Sequence, residues 1–308
     1  MATFVPLLAR KQVERLPERA RETVEYRKSG LSLNHIQGCL LDCAYCIRHT
    51  YGLWDARQPR ALMSDAEAVS ELVNHRYFQP HVTPVQVFNR ATDPFLPNVR
   101  PHTFSVLEDL DERSLTNHVL VIARHQMKAQ DAERLNQFRH IKLTLLFTYS
   151  GIDDKRIEPY PSHVAAESLT LMSSPVWCRY RTVLYWRPLV SGLNDSDEHL
   201  HRAFELGQHA DATVFTGLFY RDEIAGLLGL LRSWGEPAAE PPPMTQPRHT
   251  AGHPEFGVTC RRANPTEPLD ITLPATVPRS DRPPGCLPAA SFRRSVGRRT
   301  SESGSSDG

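Results

Sequence analysis

Between residues 31 and 234 the chain alternates short apolar runs with longer helix-patterned ones, and this alternation narrows the possible folds most. The spacing predicts strands at 31–36, 84–89, 118–122, 141–147, 182–189 and 212–216. Helices are predicted at 64–76, 102–116, 129–138, 162–173 and 196–209. The runs VLVIA (119–123) and LTLLF (143–147) are apolar throughout, as in parallel strands covered on both faces. Ser64 with Glu67 forms a capping box and Ser196 follows a loop, so both mark helix starts. Repeated strand–helix units imply α/β architecture with right-handed crossovers. Six units fit a partial (β/α)6 TIM-type barrel. From pattern alone, a doubly wound open sheet is the alternative. In either, reactive groups belong at the carboxyl ends of the strands.

Around this core, 1–235 divides into an N-terminal extension (1–30) and the barrel (31–235). Beyond Gly235 come 13 of the 25 prolines, few large apolar residues and the ending SESGSSDG. Such a segment buries too little apolar surface to offset its ordering entropy, so 236–308 is expected to be a disordered C-terminal tail. Cys260 and Cys286 stand isolated within it. The 36 basic and 35 acidic residues give no global pull toward nucleic acid. No apolar run approaches the length of a membrane span, and the first residues lack a signal-peptide core. The expectation is a cytoplasmic protein in a reducing compartment.

Cys39, Cys43 and Cys46 stand in the run GCLLDCAYCIRH, spaced C-x3-C-x2-C. Three thiolates on one short loop suit three corners of an iron–sulfur cluster, which ordinarily takes four. Three ligands leave one iron open to a cosubstrate, by the logic that separates open catalytic metal sites from closed ones. Gly38 lets the loop turn closely, and Tyr45 is an aromatic that would pack against a bound ring. A tetrahedral zinc site with His49 as fourth ligand is the bland alternative. A disulfide framework ranks below both, because the three cysteines are too crowded to pair among themselves and the chain lacks secretory features.

The C-x3-C-x2-C loop with an aromatic before its last cysteine resembles the signature of the radical S-adenosylmethionine (SAM) enzymes. ATDPFLP after the second strand and RPLVSGLND at the end of the fifth are similar to the branch related to spore photoproduct lyase. The resemblance implies a partial barrel, a [4Fe–4S] cluster on the three cysteines, and SAM on the open iron. It also implies an electron donor such as flavodoxin or ferredoxin, and a 5′-deoxyadenosyl radical that abstracts hydrogen from a substrate. By position it points to Tyr45, Asn89, Thr92, Asp93, Ser150, Val190 and Gly192 as cosubstrate contacts. Each has a local alternative: Asp93 before Pro94 is a turn signal, and Ser150-Gly151 is a turn. His35 and His125, at strand ends, are more often hydrogen-bonded structural residues. The branch carries a hydrogen-donating cysteine between the cluster loop and mid-barrel. Here 47–177 contains none, and Cys178 reads as packed core. A catalytically degenerate member of the family is a further alternative. Nothing in the sequence names the substrate.

Overall fold

The computed structural model describes residues 5–51, 57–174, 178–219 and 221–228. In chain order the elements begin with α1 (Arg10–Glu14), α2 (Glu18–Arg21), β1 (Val24–Arg27), β2 (Gly30–Leu33) and β3 (Ile36–Gln37). A 3-10 turn at Ile47–Tyr51 precedes β4 (Arg60–Ala61), α3 (Asp65–Val73), β5 (Val85–Val87), α4 (Arg100–Glu112) and β6 (His118–Ala123). Then follow α5 (Ala129–Leu135), β7 (Lys142–Tyr149), α6 (Ser162–Ser173), β8 (Arg181–Leu189), α7 (Asp197–Gly207), β9 (Ala212–Gly217) and α8 (Asp222–Leu227).

The main sheet has the order β1-β2-β5-β6-β7-β8-β9. Its last six strands run parallel, and β1 is an antiparallel edge. This order decides between the two architectures. A doubly wound sheet reverses its strand order at a switch point. Here the parallel strands follow one another in sequence order, so right-handed crossovers place the helices on one face and the sheet curls as a partial barrel.

Side chains alternate across each strand, so the two faces can be read from register. Leu33, Val87, Val121 and Leu145 are cross-strand neighbours and fully buried; they belong to the helix-covered core with Leu169 and Met172 of α6. The opposite face carries the row Ser32, Gln86, Leu120 and Thr144. That inner face is polar at its β2–β5 end, where Ser32 and Gln86 are buried.

Three details depart from the sequence pattern. The first parallel strand stops at Leu33, and Ile36–Gln37 instead pairs antiparallel with Arg60–Ala61. Val24–Arg27 joins the main sheet by pairing with β2, so the sheet begins inside the N-terminal extension. α4 begins before His102, because Pro101 is tolerated in a first helical turn where its missing N–H has no partner to lose. Both caps form as expected: Ser64 Oγ accepts the Glu67 amide and Ser196 Oγ the His199 amide. The expected tail at 236–308, with Cys260 and Cys286, lies outside the described residues. Among the described residues no helix is long and apolar enough to cross a membrane.

Candidate active site

The cysteine loop leaves the short β3 strand and is fixed at both ends. Gly38 has φ +104°, and a Cβ there would run into the Gln58 carbonyl, so only glycine fits without strain. Its amide donates to Ala91 O at 3.0 Å, tying the loop to the end of β5. Arg48 is buried and spans the loop: Nη1 donates to Cys39 O at 2.6 Å and Nη2 to Asp42 Oδ1 at 2.9 Å. His49 Nε2 donates to Cys43 O at 3.0 Å. The Ala44 amide reaches Ile157 O at 2.8 Å. Arg48 and His49 follow the motif directly, and nothing in the spacing of the cysteines marks them as its braces.

Cys43 is buried, and Cys39 and Cys46 are half-buried. Burial pushes the Cys39 thiol far up and raises Cys43. The neighbouring thiols add to both shifts, and Arg124 opposes the rise at Cys43. Thiolates crowded in this way call for positive charge. A single zinc ion would need its ligands about 2.3 Å from one point. A cubane cluster takes its ligands on separate corners. Arg124 is buried and ion-paired to Glu158, and its charge acts on the Cys43 thiol. A buried cation beside the loop suits an anionic iron–sulfur group.

The other expected positions all lie at the carboxyl ends of the parallel strands, around this loop, but most of their polar atoms are already engaged. Tyr45 is buried, and its hydroxyl donates to Glu158 Oε2 at 2.8 Å. Asn89 accepts from Ser32 Oγ at 2.6 Å and donates to Gln86 Oε1, within the polar cluster of the inner face. Asp93 accepts three backbone amides: Phe95 at 2.9 Å, Arg124 at 2.6 Å and His125 at 3.0 Å. That carboxylate joins the loop after β5 to the end of β6. Ser150 is fully buried and donates to Glu158 Oε2. Thr92 differs, since its buried Oγ1 has no hydrogen-bond partner among the described residues. Val190 is buried, and its amide donates to Asn194 Oδ1. Gly192 has φ +80°, is exposed, and has open space where a Cβ would stand. Asn194 also donates to the carbonyls of Ser150 and Pro188, binding the ends of β7 and β8 together.

Both histidines have protein partners. His35 Nε2 donates to Asp65 Oδ1 at 2.8 Å, and His102 Nδ1 donates to the same carboxylate at 3.0 Å. His125 stacks on Tyr160 with ring centroids 4.9 Å apart. Cys178 precedes β8, so the nine-residue strand, at about 3.3 Å per residue, separates it from the carboxyl-end site. Its Sγ lies 3.8 Å from Met172 O, and it packs against the core.

Neither a family model nor a curated protein sequence matches the chain. Solved structures do. A single-substitution variant of spore photoproduct lyase superposes with a TM-score of 0.50 at 12% identity, over 73% of this chain and 65% of that one. Spore photoproduct lyase complexed with dinucleoside spore photoproduct gives 0.48 at 14% identity, over 69% and 64%. Streptococcus suis SuiB bound to S-adenosylmethionine gives 0.43 at 11%, over 66% and 46%. The chain thus spans 64–65% of the length of these two spore photoproduct lyase structures. At a TM-score of 0.50 the likeness is one of fold: an α/β chain built as a partial barrel of the kind found in spore photoproduct lyase.

Proposed function

We propose that the chain is a radical SAM enzyme, with Cys39, Cys43 and Cys46 holding a [4Fe–4S] cluster that leaves one iron for S-adenosylmethionine. The observation that carries this reading is the placement of three cysteines on one braced loop, at the carboxyl end of the first parallel strand of a partial barrel. When bound, the cluster would supply the electron that cleaves the cosubstrate. The protein's own part is to bind, orient and exclude water. Arg48 and His49 hold the loop backbone. Asp93 fixes the β5 and β6 ends, and Asn194 fixes those of β7 and β8. Thr92 Oγ1 is the free polar atom best suited to the methionine amino group. The exposed backbone at Gly192, with Val190 behind it, suits the close approach of a flat adenine ring. Electrons would come from a low-potential donor such as flavodoxin or ferredoxin.

The test is anaerobic reconstitution of the full chain with iron and sulfide. About four irons per chain are expected, with 5′-deoxyadenosine released from SAM after reduction. Cys39→Ala, Cys43→Ala and Cys46→Ala should each lose the cluster. One zinc per colourless chain refutes the reading in favour of a Cys3His site. A loaded cluster with no 5′-deoxyadenosine refutes turnover and leaves a degenerate barrel.

A further inference from the structure

One buried ion pair stands outside the roles assigned so far. Arg124, at the end of β6, pairs with Glu158 inside the protein, where the side chains are 6% and 0% exposed. Two hydroxyls donate into the same oxygen of that carboxylate: Tyr45 at 2.8 Å, and Ser150. These contacts hold the Glu158 carboxyl in place. The guanidinium lies 5.3 Å over the ring of Tyr45, which stands between Cys43 and Cys46 in sequence, and its charge lowers the Cys43 thiol against the rise that burial imposes. Its backbone is pinned by Asp93. Burying such a pair is costly, and hydrophobic replacements are often no less stable. Its position over Tyr45 of the cysteine loop gives it a use beyond packing.

We propose that Arg124, oriented by Glu158, is a positioning residue that sets the reduction potential of the cluster held by Cys39, Cys43 and Cys46. This rests on the proposed function. Cluster potentials are set by net charge, burial and hydrogen bonds to sulfur. Adding one electron adds one negative charge, and a fixed guanidinium in a poorly screened interior stabilises the reduced form. The carboxylate behind it works the other way, so the pair acts as a dipole with its positive end at the cysteine loop.

The experiment is a dithionite titration of the reconstituted full chain, followed by electron paramagnetic resonance. Arg124→Gln should lower the midpoint. A tenfold fall in the equilibrium constant for one-electron reduction corresponds to about 59 mV. Glu158→Gln, nearly isosteric, should raise it by leaving the guanidinium uncompensated. Arg124→Lys should stay near the parent. Opposite shifts in the Arg124→Gln and Glu158→Gln proteins support the proposal, because a merely structural role would move neither in a charge-dependent sense. Cluster-loaded variants that titrate with the parent overturn it and leave the proposed function standing. A parent chain that takes up no cluster overturns both.

Discussion

Asp93→Ala separates a ligand-binding carboxylate from a structural one. In the structure Asp93 is 5% exposed and accepts the amides of Phe95, Arg124 and His125. Truncation leaves three buried N–H groups without a partner. An unsatisfied buried donor costs about 1–3 kcal/mol, with the upper end applying where the lost acceptor was charged. Three of them, partly relieved by any water that enters, sum to roughly 3–6 kcal/mol. That is a large share of the roughly 5–15 kcal/mol that holds a domain folded. Urea unfolding of the protein without cofactors, followed by circular dichroism, should show the midpoint falling sharply with an unchanged slope. SAM affinity of the folded fraction should drop less than stability does. A stability loss below about 1 kcal/mol together with abolished SAM binding would refute the reasoning, for it would mean that the amide contacts are incidental.

Thr92→Val should behave in the opposite way. It removes a buried hydroxyl with no hydrogen-bond partner among the described residues, so stability should hold within about 1 kcal/mol while SAM binding weakens several-fold in calorimetry; unchanged affinity counts against Thr92 as a contact. Gly38→Ala forces a side chain at φ +104° against Gln58; it should cost roughly 1–3 kcal/mol and reduce iron uptake after reconstitution, and full iron uptake with parental stability would contradict the geometry. Acid sensitivity should follow His35. Burial lowers its pKa, so the folded state binds fewer protons than the unfolded chain. Its stabilisation is thus complete above the unfolded value near 6.5 and is lost as pH falls below it, at up to about 1.4 kcal/mol per pH unit. Burial pushes Asp65 up, but the hydrogen bonds from His102 and His35 outweigh it and hold the carboxyl low. Its contribution is therefore present above about pH 3.9 and lost only in stronger acid. Unfolding free energies of the parent and His35→Gln between pH 7 and 5 should diverge in slope; parallel lines refute the assignment.

The strands and helices were legible because their signals are local. The run 118–122 became His118–Ala123, 182–189 became Arg181–Leu189, and α6 spans Ser162–Ser173 as its periodicity predicts. Boundaries slipped where a long-range partner intervened: Ile36 left the first strand for Ala61, and Val24–Arg27 was recruited by β2. The cysteine spacing alone placed three sulfurs on one loop, because residues 39–46 lie within a few peptide units of each other.

What the sequence could not reveal is which polar atoms remain free. Asp93 and Ser150 read equally well as ligands or as turns, and their partners lie far along the chain. Asp93 meets the amides of Arg124 and His125 only because β5 and β6 are adjacent, and Tyr45 meets Glu158 across 113 residues. The apolar periodicity and the motif come from neighbouring residues and survive in any chain that carries them. The strand order that chose a barrel over a doubly wound sheet, and the Arg124–Glu158 pair beside the cysteine loop, arise only when distant strand ends meet in space.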